Sequence, residues 1–452
     1  MKQPQDENDL RAILLEASRS GAPINVISTG RNWGYGSHLP SQDGTALIDL
    51  RAWNEIGPLD PATLSVRIQP GVTQGELHRW LQKHAPGLAF NTTGAGTQTS
   101  ILGCALERGI GYAGPLDEDI FGLEVMLADG QVHRPDPEWF HAARDHAAGP
   151  SHDALFFQSN YGIVLAARLR LRVRQEKEQA VVLNGSLPGL LRSLEECYRS
   201  GILTLPTHIS EPGRTGRLAA NRLSQLRGRA VTVEELRAVF PERNEHVALT
   251  ALHGRAPMVD AAWRELRRTL GRGVAAWRLG ETTARRIESL ARKIRLRNHA
   301  DRLAAFLPLL GLTWGTPTDA GLHALALRTD QNDADLAQEG AIYGNAVSAL
   351  TVAAATETAA IIRAAWAEAA CTYIVLNAHC LVTVFTLHFS PEQTSAAKVA
   401  EETIYSALRA RGYPPYRLGI NIAGPAGEGL HELVKNALDP HLLLAPGRYE
   451  KQ

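Results

Sequence analysis

Cysteine is scarce in this chain of 452 residues, which contains only Cys104, Cys197, Cys371 and Cys380. None of the four forms a CxxC pair, and their density is far below that of a disulfide scaffold. The first twenty residues lack the apolar segment of a secretory signal, and no apolar run elsewhere is long enough to span a bilayer. We therefore expect a cytoplasmic protein with no structural disulfides, no membrane segment and no bound metal.

The chain also lacks an excess of charge of either sign, since Lys plus Arg and Asp plus Glu each total 47. This balance argues against nucleic acid or an anionic membrane as the main partner and favours a small-molecule substrate. Apolar residues make up 44% of the sequence, and the length suits two or three domains that share an interface. These features predict a globular enzyme with a cleft between domains.

The motifs of several large enzyme classes are missing. The sequence contains no P-loop, no GxSxG elbow and no HExxH, so phosphoryl transfer and the common hydrolase mechanisms have no support. A GxGxxG string at Gly109–Gly114 follows a helical stretch and opens no helix, whereas a Rossmann fingerprint follows a strand and opens one. We therefore predict no NAD site there.

Helical and strand patterns alternate in the first part of the chain and predict an α+β fold. The predicted helices here are 10–18, 73–83 and 100–108, and the predicted strands are 24–28, 46–50, 65–69, 123–128, 131–134 and 163–173. The chain then becomes rich in Ala and Arg, with predicted helices at 258–270 and 282–303 and a strand at 380–389. We divide it into residues 1–177, an inserted domain at 178–411, and a segment at 412–452 that returns to the first domain.

A glycine-rich loop follows the predicted strand at 24–28. Gly30, Gly34 and Gly36 permit positive φ and close backbone approach, so successive N–H groups could face a diphosphate. An ordinary tight loop explains the same glycine spacing.

Six motifs in order resemble the flavoprotein family of vanillyl-alcohol oxidase and p-cresol methylhydroxylase (PCMH). They are Ser28–Gly36, Gln69–Val72, Gly103–Tyr112, Leu123–Gly130, Gln158–Val164 and Lys435–Gly447. The resemblance implies a two-part PCMH-type FAD-binding domain, 1–177 and 412–452, with an inserted α+β cap (substrate) domain at 178–411. It also implies an FAD-dependent oxidoreductase, often dimeric, so we expect a homodimer. The residues implied to bind FAD are Thr29, Gly30, Arg31, Asn32, Trp33, Gly34, Thr92, Thr93, Gly94, Gly96, Thr97, Gly103, Gly162, Ile163 and Val164.

The resemblance also implies a phenol-binding site. Tyr416 and Arg417 match the family's adjacent Tyr and Arg that bind a phenolic oxygen, and Tyr35 matches a further tyrosine there. An Arg cation and two hydroxyl donors favour the phenolate, which assists loss of hydride from the benzylic carbon to flavin N5 and leaves a p-quinone methide. A structural loop for Tyr35 and a surface turn for Tyr416–Arg417 are the alternatives.

Two further residues are implied by weaker matches. Asp117 lies near the place where relatives keep an acid close to flavin N5, although Asp119 fits the alignment too and a solvated acidic loop is an equal alternative. His379 precedes a strand in roughly the place where some relatives attach FAD covalently, and the alternative is a structural histidine.

Several functional alternatives stay open at this point. The substrate is a para-substituted phenol or, alternatively, another alcohol, a sugar or a biosynthetic intermediate, and the electrons pass to O2 or to another acceptor. A flavin-free binding protein on the same scaffold is a third reading. The arginines at 285, 286, 292, 295 and 297 indicate a solvated helix face, with an acidic protein partner as the alternative.

Overall fold

The computed structural model describes residues 1–31, 35–36, 38–135, 151–241, 244–322, 340–422, 424 and 429–449. Asn32, Trp33 and Gly34, predicted to bind FAD, lie outside the described residues. Among the described residues the strands are β1 Ile24–Ile27, β2 Ala46–Asp49, β3 Ile56–Asp60, β4 Ser65–Ile68, β5 Leu88–Ala89, β6 Ile120–Met126, β7 Val132–His133, β8 Ile163–Arg170, β9 Arg172–Val173, β10 Lys177–Gly185, β11 Thr207–Ser210, β12 His246–Gly254, β13 Ala275–Leu279, β14 Ala341–Ser348, β15 Ala370–Asn377 and β16 Cys380–His388.

Helices fill the gaps between these strands, and none in the described part of the chain combines the length and apolarity needed to cross a bilayer. Within the same residues, no group of acidic, His and Cys side chains is suited to hold a metal ion. The helices are α1 Glu7–Ser20, α2 Gln74–His84, α3 Ile101–Leu106, α4 Leu187–Arg199, α5 Pro212–Arg227, α6 Val233–Val239, α7 Ala256–Thr269, α8 Glu281–Lys293, α9 Arg297–Thr313, α10 Val352–Ala365, α11 Thr394–Ala410 and α12 Leu430–Leu438.

The first part of the chain forms two small sheets, β1-β2 and β5-β9, and a larger one of five strands. Strands β1 and β2 pair in parallel, and β3, β4, β8, β6 and β7 form a five-stranded antiparallel sheet in that order. One face of this sheet packs on α2 and α3 through buried side chains such as Ile68, Leu77 and Leu102. The helix α2 starts with a full capping box between Thr73 and Glu76.

The inserted part forms a seven-stranded antiparallel sheet in the order β13-β10-β12-β11-β15-β16-β14. Helices cover both faces of its centre. Along β10, Val181 and Leu183 pack toward α4, while Ala180 and Val182 pack toward α9, because successive side chains of a strand point to opposite faces. The sheet is therefore buried on two sides and holds its side chains in a fixed register.

The last described segment packs back on β1. Leu443 and Ala445 exchange backbone hydrogen bonds with Ile24, and the buried Lys435 ammonium binds Asp439 at 2.7 Å and the backbone oxygen of Asn160 at 2.9 Å. Lys435 is 3% exposed and its partner Asp439 is fully buried. Each ion compensates the charge of the other inside the protein. These bonds fix the C-terminal segment against the strand that leads into the glycine-rich loop.

The secondary structure follows the sequence prediction with one clear difference. The predicted helix at 282–303 is wrong as a single helix, because the chain breaks between α8 and α9 where Arg295 adopts a φ of 60°. Arg285 and Arg292 on α8 pair with Glu281 and Glu288 one turn earlier, as on a solvated helix face.

Candidate active site

Two cavities meet between the five-stranded sheet and the seven-stranded sheet. The larger, which we call the substrate cavity, has a volume of about 1140 Å3 and lies under the inserted part. The smaller, which we call the FAD cleft, runs between β1, α3 and the start of β8. Ala95, Cys104 and Arg417 line both, so a ligand in the cleft and one in the cavity would meet at these three residues.

One buried asparagine joins the residues predicted to bind a phenol. Asn345, in the middle of β14 and 1% exposed, accepts hydrogen bonds through Oδ1 from the backbone N–H groups of Tyr416 at 2.6 Å and Arg417 at 3.0 Å. Its Nδ2 donates to the Tyr35 hydroxyl at 3.3 Å. Tyr35, Tyr416 and Arg417 all line the substrate cavity. Asn345 therefore brings together three side chains from segments more than 300 residues apart.

The charge in this cluster comes from Arg417. Its guanidinium carbon stands 4.1 Å from the centre of the Tyr35 ring, and its Nε is buried without a hydrogen-bond partner among the described residues. Burial lowers the pKa of Arg417, but Tyr35 and Glu107 outweigh burial and raise it. Burial raises the pKa of Tyr35 and of Tyr416, so both stay neutral hydroxyls near pH 7. The cluster thus presents one cation with neutral donors around it.

A carboxylate behind the cluster holds Arg417 in place. Glu107 lies 3.7 Å from Arg417 and 3.4 Å from Arg448, and it accepts a hydrogen bond from the Tyr449 hydroxyl. Burial would raise the pKa of Glu107, but Arg448 and Arg417 together lower it. The group is therefore an ionised carboxylate between two arginines, which leaves a net positive charge where the two cavities meet.

The FAD cleft fits a cofactor with an extended phosphate-bearing chain. Six residues predicted to bind FAD line it: Gly30, Arg31, Gly103, Gly162, Ile163 and Val164. Gly30 adopts a φ of 71°, which favours glycine, and α3 begins at the wall of the cleft. The Nδ2 of Asn25, also in the lining, is buried without a partner among the described residues, and such an orphaned donor suits a polar ligand atom.

The other residues predicted to bind FAD lie elsewhere. Thr29 accepts a hydrogen bond from the backbone of Ser100, and Thr93 and Gly94 line the substrate cavity rather than the cleft. Thr92, Gly96 and Thr97 face the inserted part. Thr92 donates to the backbone oxygen of Leu312, Gly96 packs against Leu322, and Thr97 binds Asp319. Thr92, Gly96 and Thr97 thus carry contacts to the inserted part, and the binding of FAD by the loop from Thr92 to Thr97 stays a prediction.

Asp117, predicted to lie close to flavin N5, pairs with an arginine of the cavity wall. It lines neither cavity, and its carboxylate is 3.6 Å from the guanidinium of Arg108, which does line the substrate cavity. Burial raises the pKa of Asp117, and burial also raises the pKa of Asp119 to about 6. Asp117 thus orients an arginine of the cavity wall instead of facing the cavity itself.

His379 is exposed in the turn between β15 and β16, where its backbone N–H donates to the side chain of Asn377. It lines neither the FAD cleft nor the substrate cavity. The imidazole thus lies outside both cavities, and covalent attachment of FAD through His379 stays a prediction.

Comparison with known proteins agrees with this geometry. Residues 1–135 match a family model described as an FAD binding domain. The chain is 28% identical to 1'-carboxy-chondrochloren decarboxylase of Chondromyces crocatus, over 99% of this chain and 89% of that protein. It is 24% identical to the 4-cresol dehydrogenase [hydroxylating] flavoprotein subunit of Pseudomonas putida, over 94% of this chain and 82% of that protein.

The structure supports the same assignment. It superposes on p-cresol methylhydroxylase with substrate bound with a TM-score of 0.80 at 20% identity, covering 99% of this chain and 88% of that one. The fold and the cleft define an FAD-dependent oxidoreductase. The resemblance predicted from the six motifs is confirmed: the chain is similar in sequence and fold to flavoproteins of the p-cresol methylhydroxylase type.

Proposed function

We propose that this protein oxidises a para-substituted phenol at its benzylic carbon, with FAD as the electron acceptor. The observation that carries the proposal is the cluster of Tyr35, Tyr416 and Arg417, held by Asn345 where the substrate cavity meets the FAD cleft. A cation with neutral hydroxyls suits an oxygen that gains negative charge during the reaction.

The cluster changes the ionisation of a bound phenol. A free phenol has a pKa near ~10, so it is mostly neutral at pH 7. Arg417 stabilises the phenolate by charge, and the Tyr35 hydroxyl stays protonated because burial raises its pKa. The phenolate is the form that pushes electron density toward the para carbon, so binding at this cluster prepares the benzylic C–H bond for loss of hydride.

The cofactor supplies a two-electron acceptor, flavin N5, for that hydride. The protein's own residues act at the other end of the substrate. Loss of hydride leaves a p-quinone methide, whose oxygen regains negative charge when water adds or when a neighbouring C–H proton leaves. Arg417 and the two tyrosines face that oxygen throughout, so they stabilise both steps.

The test is anaerobic titration of the purified yellow protein with 4-ethylphenol, followed by absorbance at the flavin bands. The phenol should bleach the flavin, whereas 4-ethylanisole, whose oxygen cannot ionise, should not. Bleaching by a non-phenolic alcohol or a sugar, with none by the phenol, would instead support the alternative of a non-phenolic substrate. A protein that takes up no FAD would contradict the proposal outright.

A second reaction of the same site is oxidation followed by loss of CO2. It is favoured by the similarity to 1'-carboxy-chondrochloren decarboxylase along almost the whole chain. The quinone methide is the electron sink that such a step needs. Release of CO2 in proportion to reduced flavin would distinguish this reaction from hydroxylation or simple desaturation.

The fate of the electrons and the assembly are further parts of the proposal. We propose that reduced flavin passes its electrons to O2 or to a separate acceptor, and that the protein is a cytoplasmic homodimer. Hydrogen peroxide formation in air would identify O2 as the acceptor, and reoxidation by an added dye alone would identify a separate one. Sedimentation of the holoenzyme would give the oligomeric state.

A further inference from the structure

The substrate cavity is larger and more basic than a small phenol requires. Its volume of about 1140 Å3 lies at the upper end of ordinary ligand sites. Among the described residues, five arginines and one carboxylate contribute to its lining: Arg108, Arg214, Arg237, Arg302 and Arg417, against Glu245. The described lining therefore contains cations besides Arg417, the one assigned to the phenolate.

Arg214, the third residue of α5, is a cation of this wall with no acidic partner. Its guanidinium donates to the hydroxyl of Thr372 at 2.6 Å, and no carboxylate of the described residues lies within 4.0 Å of it. The acid that precedes the helix, Glu211, is engaged elsewhere, with Arg363 and with the backbone N–H of Cys371 at 2.9 Å. No carboxylate of the described residues therefore balances the charge of Arg214 at the cavity wall. An unbalanced cation favours an anionic ligand.

Arg214 lies near the phenol cluster and is linked to it through tyrosine side chains of the cavity wall. Its charge acts on Tyr343, whose pKa is raised by burial and lowered in part by Arg214. The Tyr343 ring in turn lies 6.0 Å from the Tyr35 ring. The charge of Arg214 also acts on Tyr112, another residue of the cavity wall. Burial raises the pKa of Tyr112 to about 12, and Arg214 lowers it in part. The two cations, Arg417 and Arg214, are thus separated by aromatic side chains within one cavity.

The first turn of α5 adds to the positive potential at this place. The helix begins at Pro212 without a side-chain cap, since the Glu211 carboxylate is turned away. Uncapped N–H groups and the helix dipole favour a negative group at a helix start. Ser210, Pro212 and Thr215 line the cavity around Arg214, so this end of the helix is part of the wall.

We infer that Arg214 forms a carboxylate-binding subsite, so that the substrate is a para-substituted phenol with a carboxylate on the carbon next to the benzylic one. The inference rests on the proposed function and specifies its substrate class. The phenolate binds at Arg417 and the carboxylate at Arg214, and the carbon that loses hydride lies between them.

The electrons of the reaction balance with FAD as the oxidant. The phenolate loses hydride from the benzylic carbon to oxidised flavin, which takes both electrons, and a p-quinone methide results. The C–C bond to the carboxylate then breaks, CO2 leaves, and its electron pair forms the side-chain double bond while the ring becomes a phenolate again. Arg214 orients the carboxylate, and Arg417 stabilises the phenolate oxygen that receives the charge.

The test compares 3-(4-hydroxyphenyl)propanoate with 4-propylphenol, which has the same carbon skeleton and a methyl group in place of the carboxylate. Flavin reduction, CO2 and 4-vinylphenol are measured for the wild-type holoenzyme and for Arg214→Gln. The control variant is Arg264→Gln, which removes an exposed arginine of α7 outside the cavity. FAD content and circular dichroism of each variant show that the fold is retained.

The wild type should convert the acid to 4-vinylphenol and CO2 in equal amounts. Arg214→Gln should lower kcat/KM for the acid relative to that for 4-propylphenol by roughly 10- to 100-fold, the usual weight of hydrogen bonds to a charged group. Arg264→Gln should leave this ratio unchanged.

Four results would overturn the inference, and they differ from one another. If 4-propylphenol bleaches the flavin but the acid does not, or if the ratio is the same in Arg214→Gln, the carboxylate subsite is wrong and the proposed function stands. If the acid is oxidised without release of CO2, the decarboxylation is wrong. If neither phenol reduces the flavin, the proposed function itself fails.

Discussion

Replacement of Arg417 by Gln tests whether this protein works through a phenolate. An attraction between unit charges about 4 Å apart is worth ~4 kcal/mol at an effective dielectric constant near 20. That corresponds to roughly 3 pKa units for a bound phenol. Glu107, 3.7 Å from Arg417, cancels part of this attraction. We therefore expect Arg417 to lower the pKa of the bound phenol by about 2 units, from ~10 to ~8.

The expected effect depends on pH in a defined way. At pH 7 the bound phenolate fraction, and with it the rate of flavin reduction, should fall about 100-fold in Arg417→Gln. At pH 10 the difference should shrink to roughly twofold, because half of the phenol is ionised without help. Arg417→Lys keeps the charge, so its pH midpoint should stay near that of the wild type even if the substrate binds more weakly.

The measurement is stopped-flow reduction of the flavin by 4-ethylphenol under anaerobic conditions, from pH 6 to pH 10. Parallel pH profiles for the wild type and Arg417→Gln, displaced by a constant factor, would refute the reasoning, because a loss of positioning alone is independent of substrate ionisation. A profile of Arg417→Lys that follows Arg417→Gln would also count against a role for the charge.

Four other predictions follow from the packing. Asn345→Ala leaves two buried backbone N–H groups without acceptors, so it should lower the free energy of unfolding by about 2–4 kcal/mol in urea and raise KM for the phenol. Gly71→Ala should cost about 1–3 kcal/mol because its Cβ would overlap backbone oxygens, whereas Gly87→Ala, with open space, should be nearly neutral. His379→Ala should leave the FAD content unchanged, since this side chain is outside the cleft. Burial raises the pKa of Glu401 to about 7 from an unfolded value near 4.5, so the folded state holds its proton longer. Stability should fall as pH rises from 4.5 to 7, by up to about 3 kcal/mol relative to Glu401→Gln.

Each of these has an outcome that would count against it. Equal unfolding curves for the wild type and Asn345→Ala would mean that the two N–H groups find other acceptors. Equal stability of the two glycine variants would remove the packing argument, and colourless His379→Ala protein would restore that residue to the cleft. A constant difference between the wild type and Glu401→Gln from pH 4.5 to pH 8 would show that the carboxyl does not titrate in that window.

The cofactor side of the molecule is the part that the sequence predicts best. Gly30, Gly103 and Gly162 line the cleft as expected, because a backbone that approaches a ligand closely needs glycine at particular places, and those places recur as short motifs. The capping box at Thr73 is also a local pattern of four residues. Local patterns of this kind are visible without knowledge of the fold.

Other features have no local signal. The break between α8 and α9 occurs at Arg295, with neither Gly nor Pro beside it, so helical periodicity runs straight through it. The pairing of Thr97 with Asp319 joins positions 222 residues apart, so no local pattern indicates that this loop contacts the inserted part. Only the packed structure shows which partner such a loop has.

Residues near the cofactor lie in local sequence patterns, whereas residues near the substrate do not. Glu107 and Arg448 lie inside or beside two of the six motifs, but Asn345 and Arg214 come from an inserted part whose sequence carries none of them. Asn345 acts by bridging a loop that precedes it by 310 residues and a turn that follows it by 71. Because β14 of the seven-stranded sheet and the helix α5 bring these residues to the cavity wall, a change of side chain on β14 or α5 can alter the substrate while the FAD cleft stays as it is. Substrate choice should therefore respond to Asn345 and Arg214 variants that leave FAD content intact.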